Sequence, residues 1–195
     1  MQRVMLALML ASLVLLQGCL GGLRDSVTDA LPEQRGIPGG LTLACLSSAQ
    51  FTDMVIEIDH APGYAPEATT VELLIDRLSD VCDKPSGVKA VITETSFDQD
   101  GSWSADDVRA QALEHRDAPP MDGTTLRWHV LFPSGVYDDD NVLGVAVNAA
   151  DVAVFRDSID DAENILQRPS AEDIENSVTL HEVGHLLGLV NLVYT

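Results

Sequence analysis

Two imidazoles and a carboxylate stand close together near the end of the chain. His181 and His185 are four residues apart and Glu182 lies between them, in the stretch Thr179-Leu180-His181-Glu182-Val183-Gly184-His185-Leu186-Leu187-Gly188. On a helix, residues at this spacing share one face about one turn apart, so both imidazoles can grip a single ion. Zinc suits neutral imidazole and keeps an open position where a bound water can ionise near neutral pH. Glu182 is rotated by about 100° from the pair and can take that water's proton, then hand it to a leaving amine. This is the chemistry of metal-assisted peptide hydrolysis. At this chain's composition a chance H-E-x-x-H has a probability of roughly 0.6%. That makes a buried helix with two satisfied histidines the weaker reading.

The helix needs a start, and Ser170 with Asp173 three residues on supplies a capping pair. Upstream, the chain alternates between strand and helix patterns. Phe51–Asp59, Val88–Thr95, Thr125–Phe132 and Val142–Val147 read as strands, and Val152–Phe155 adds a short one. Pro66 can open a helix in which Val71, Leu74, Ile75, Leu78 and Cys82 recur at helical spacing. Ser104 with Asp107 predicts a further capped helix running to about His115. The fold class expected is α/β with a mixed sheet, in one domain spanning residues 41–195.

The helix stretch resembles the metzincin clan of zinc peptidases, whose pattern is H-E-x-x-H-x-x-G-x-x-H/D, and especially prokaryotic relatives reading HExGHLLGLVN. The resemblance implies an α+β, zincin-like fold over Phe51–Asn191. In it a twisted sheet is backed by helices, and the C-terminal helix carries the active site. It also implies an edge strand that binds extended substrate by β-augmentation, with Val142–Val147 or Val152–Phe155 as that edge. Carried over by position, His181 and His185 are zinc ligands, Glu182 is the general base, and Gly188 is the turn that swings the chain back toward the metal. The third ligand position holds Asn191, a poor zinc ligand beside imidazole or carboxylate, which leaves that ligand open. The clan continues through a Met-containing turn and a lower subdomain. The residues after Asn191 cannot supply these, nor the later helix of a gluzincin, so the chain is expected to be C-terminally truncated.

The N-terminus points to export. Arg3 precedes the apolar run Val4–Leu16, which suits a signal peptide better than a permanent span. The run ends in Leu16-Gln17-Gly18-Cys19, which resembles the lipobox of prokaryotic lipoproteins. That resemblance implies removal of residues 1–18, lipidation of Cys19, and a membrane-anchored protein outside the cytoplasm. An ordinary signal peptide or an uncut anchor is the alternative. The Gly- and Pro-rich residues 19–40 read as a tether. Cys45 and Cys82 remain, and in an oxidising compartment they suggest one bridge closing a loop of about 37 residues, the alternative being two buried free thiols.

Charge narrows the partners further. The chain has 31 acidic and 11 basic residues and a formal net charge of −20, a surface that repels nucleic acid. At 46% hydrophobic it is too apolar for a disordered acidic tail. Of the acids 21 are Asp, while only Lys84 and Lys89 are lysines, a balance that fits a saline habitat. His60, His115 and His129 read as surface or core residues, because zincins draw their third ligand from downstream. Asp98-Gln99-Asp100-Gly101 and Asp138-Asp139-Asp140-Asn141 resemble calcium-loop fragments and read as solvated turns. Trp103 and Trp128 read as packing residues. The function expected is a zinc-dependent metallopeptidase acting on peptide or protein substrates. The competing readings are a non-catalytic peptide-binding surface lipoprotein and a truncated gene product.

Overall fold

The computed structural model describes residues 36–139, 141–163 and 169–189. The chain divides between Gln34 and Arg35, and every described residue belongs to the C-terminal unit. The fold is mixed α/β, with a mixed sheet and, among the described residues, five helices. In chain order the elements are α1 (Thr42–Leu46), β1 (Asp53–His60), α2 (Ala68–Val81), β2 (Val88–Glu94), β3 (Ser102–Trp103), α3 (Ala105–His115), β4 (Met121–Asp122) and β5 (Thr125–Phe132), then β6 (Val136–Tyr137), β7 (Gly144–Ala146), β8 (Asp151–Val154), α4 (Arg156–Ala162) and α5 (Ala171–Leu186).

The main sheet runs in the order β2-β1-β5-β8-β7, with β4 paired to β5 beside this path. Strands β2, β1, β5 and β8 are parallel, whereas β7 is antiparallel to β8 and closes one end of the sheet. Parallel strands buried on both faces call for near-continuous apolar sequence, and β1 and β5 have it except at a few polar positions. One face carries Met54, Ile56, Ile58, Trp128 and Val130, all at most 1% exposed. Helices α2 and α5 cover this face, α2 inserting Leu74 and Leu78 and α5 inserting Val183 and Leu186. On the opposite face α3 packs Val108 and Ala112 against Leu131, Ala153 and Phe155, around Trp103.

Helix α5 is fixed at both ends and in its middle. The Ser170 hydroxyl accepts from the Asp173 N–H at 3.1 Å, and the Asp173 carboxylate accepts from the Ser170 N–H at 3.2 Å. The far end closes in a Schellman arrangement around Gly188, whose φ is 68°. There the Leu189 N–H donates to Gly184 O at 3.0 Å and the Gly188 N–H to His185 O at 2.9 Å. Midway, the fully buried Glu175 accepts from the Glu67 N–H and the Thr70 hydroxyl, both at 2.8 Å, which ties α5 to the start of α2. Arg156 Nη2 lies 2.9 Å from Glu175 Oε2 at an angle outside hydrogen-bond geometry, so it balances the charge by proximity alone.

A disulfide joins Cys45 on α1 to Cys82 just past α2. Beside it the buried Lys84 shares its three N–H donors among the carbonyls of Ala44, Cys45, Ser47 and Asp83, at 2.7–3.0 Å. It thereby satisfies the C-terminal carbonyls of a helix too short to hold itself. Residues 36–40, expected as the end of a tether, form turns whose Gly39 sits against Gly188; a Cβ there would lie 3.2 Å from Gly188 Cα.

Candidate active site

His181, Glu182 and His185 all project from the last turns of α5. Their rings and carboxylate converge: the ligand atoms of the three lie within 4.8 Å of one another. The two imidazole centroids are 4.9 Å apart with perpendicular planes. His181 is exposed, His185 is half-buried, and Glu182 is 6% exposed. The Glu182 carboxylate stands 3.9 Å from His185 Nε2, beyond a hydrogen bond. Helical spacing alone therefore brings these three residues together. They form a group that could bind a metal, and two imidazoles suit a borderline-soft divalent ion.

Burial sets the electrostatics. Glu182 is pushed up to about 7 by desolvation, opposed by the backbone N–H of Ala146 on β7. His185 is held below its ordinary value by burial first and by the neighbouring His181 second. His185 Nδ1 is buried and has no hydrogen-bond partner among the described residues. An uncompensated imidazole beside a desolvated carboxylate is the donor chemistry a cation would settle.

Strand β7 forms the roof. Leu143 O accepts from the Phe155 N–H at 2.9 Å and the Val147 N–H donates to Asp151 O at 3.0 Å, so these peptide groups face β8. By antiparallel alternation, those of Gly144 and Ala146 point outward at the open edge. Of the two segments expected as the edge, 144–146 takes that place, while β8 lies inside the sheet between β5 and β7. A cleft of about 440 Å³ runs between residues 141–144 and Ser177, Val178, His181 and Glu182. Gly144 makes the close approach possible, since a Cβ there would stand 2.7 Å from Glu182 Cγ and 2.8 Å from Val178 Cγ1.

The other expected residues fall elsewhere. Asn191, Cys19 and the signal stretch 1–18 lie outside the described residues. Buried His60 sets Nδ1 2.9 Å from Ala61 O, and His115 stacks edge-on against Phe97. Both tryptophans are fully buried. Neither acidic turn forms a metal-holding group among the described residues, Asp140 lying outside them. His129 is different. It sits in the core with Glu57 and Asp59, and these three form a second group that could bind a metal. The signal for it in the sequence was two acids at alternate positions of an otherwise apolar strand.

No helix of the described residues is long and apolar enough to cross a membrane. No protein-family model matches the chain, and no curated protein or solved structure matches it.

Proposed function

We propose that this chain is a metzincin-like zinc metallopeptidase. The observation that carries the reading is the convergence of His181, His185 and buried Glu182 beneath an open sheet edge. Bound zinc would supply a Lewis acid that polarises a peptide carbonyl and lowers the pKa of water.

The protein's own residues do the rest. His181 and His185 hold the metal through neutral imidazole, and burial keeps His185 in that form. The outward peptide group of Gly144 and the outward carbonyl of Ala146 pair with an extended substrate as an added strand, laying its backbone along the cleft. Glu182 takes the proton of the attacking water and passes it to the departing nitrogen. Burial, which favours the protonated carboxyl, helps Glu182 to hold that proton between the two halves of the transfer.

The test is zinc content and hydrolysis of a mixed peptide library by the full-length protein and a His181→Ala/His185→Ala variant. The reading expects the variant to lose about one equivalent of zinc and all hydrolysis. Equal hydrolysis by both proteins would overturn it. Peptide binding that survives chelator, without turnover in either, would favour the non-catalytic lipoprotein reading. The anchor belongs to the same proposal. Cys19→Ser should move the protein from the membrane fraction to the soluble one, and an unchanged distribution would refute lipidation at that residue.

A further inference from the structure

On the face of the sheet away from α5, three ligating side chains meet in the core. Glu57 and Asp59 alternate on β1, and His129 stands on β5 as the direct register partner of Glu57. They are 2%, 3% and 3% exposed, and their ligand atoms lie within 4.8 Å of one another. His129 Nε2 is 2.9 Å from Asp59 Oδ2, while His129 Nδ1 is buried with no hydrogen-bond partner.

Charge is the difficulty that this cluster has to resolve. Two carboxylates side by side in the interior would be expensive to ionise without a cation. The charged groups acting on Glu57 are His129, Asp117 and Asp59, two of the three being of its own sign. Burial pushes its carboxyl above the ordinary range, against the Asp117 N–H that it accepts at 2.5 Å. Arg116 and Arg127 both line the space beside Glu57 and His129, and Arg116 is paired with Asp151. Arg127, two residues before His129 on the same face of β5, offsets one of the two charges at most, and its buried Nε has no hydrogen-bond partner among the described residues. Asp59 receives a hydrogen bond from the Thr95 hydroxyl at 3.0 Å, which brings no charge.

We propose that Glu57, Asp59 and His129 form a second, structural metal site, for a first-row divalent transition ion such as zinc, that staples β1 to β5. The donor set chooses among ions. Imidazole disfavours calcium, which takes oxygen ligands. Magnesium likewise prefers oxygen ligands in an octahedral set, which an imidazole does not supply. One nitrogen and two carboxylates suit zinc, which takes imidazole and carboxylate together. The site is independent of the α5 histidines and stands or falls without them.

The experiment uses full-length protein carrying His181→Ala and His185→Ala, which removes the α5 site. It is loaded with zinc chloride, dialysed against EDTA, and measured for bound zinc by mass spectrometry. About one equivalent should stay, because the buried ligands exchange slowly. Folded protein, shown by circular dichroism, without zinc would overturn the proposal. Adding His129→Gln should abolish retention, and a folded His129→Gln protein that keeps zinc would also overturn it. If that variant fails to fold, melting of the double variant decides. Zinc at about a hundred times its Kd should raise Tm by roughly 5–10 °C, and an unchanged Tm overturns the assignment.

Discussion

Gly144→Ala offers a sharp test of how β7 meets α5. The backbone at Gly144 would admit any residue, so space alone makes the demand. A Cβ there would sit 2.7 Å from Glu182 Cγ, 2.8 Å from Val178 Cγ1 and 3.1 Å from Ala153 O. Carbon atoms prefer separations of about 3.5–4.0 Å, so strand and helix would have to part by about 0.8 Å or more. Helix packing and the β8 ladder both resist that movement. Overpacking of this kind costs about 1–3 kcal/mol, and here it also moves Ala146 away from the Glu182 carboxylate. Urea unfolding should show a lower midpoint with the slope unchanged, and peptide hydrolysis should fall with it. Gly63→Ala is the control, since Gly63 has φ 85° and nothing within 4 Å of its Cβ position. It should lose only about 1–2 kcal/mol of stability, through added backbone strain, and keep full activity. A Gly144→Ala protein as stable and active as the parent would refute the close approach.

Other consequences follow from the scaffold. Replacing Cys45 and Cys82 by Ala opens a loop of 37 residues and should cost about 3–4 kcal/mol in a denaturant titration. Unchanged stability would mean the bridge constrains nothing in the unfolded chain. Asp107 is held below the usual carboxylate range by the Ser104 hydroxyl first and the Ser104 N–H second. Its folded pKa is depressed, so its contribution is present above the unfolded value of 3.8 and lost as pH falls through the lower folded value. Asp107→Asn should therefore flatten the acid limb of the Tm–pH curve and leave a difference from the parent only at higher pH. A difference that persists at pH 2 would contradict the linkage.

Much of the site was legible because it is local. The i, i+4 spacing of His181 and His185 and the Ser170–Asp173 cap need no knowledge of the rest of the chain. Ser104–Asp107 was readable for the same reason, and Thr125–Phe132 stood out by its apolar run. What escaped depends on distant partners. Helix α1 has only five residues and leans on Lys84 and the disulfide, neither of which leaves a periodic pattern. Helix α4, rich in Asp, and the two-residue pair β3–β6 carry too little apolar repeat to be seen. The edge position of β7 was one of two options until pairing order decided it. Glu57 and Asp59 stand at alternate positions of β1, and only the β1–β5 register shows them buried beside His129.

The central claim is that Glu182 moves the proton in a hydrolysis that His181 and His185 support. Glu182→Gln keeps the shape of the side chain and removes its basicity. The decisive measurement is kcat/KM for one cleaved peptide, in parent and Glu182→Gln proteins matched for bound zinc. A fall of about 10²–10⁴-fold at equal metal content is expected. Equal kcat/KM in the two proteins would contradict the account.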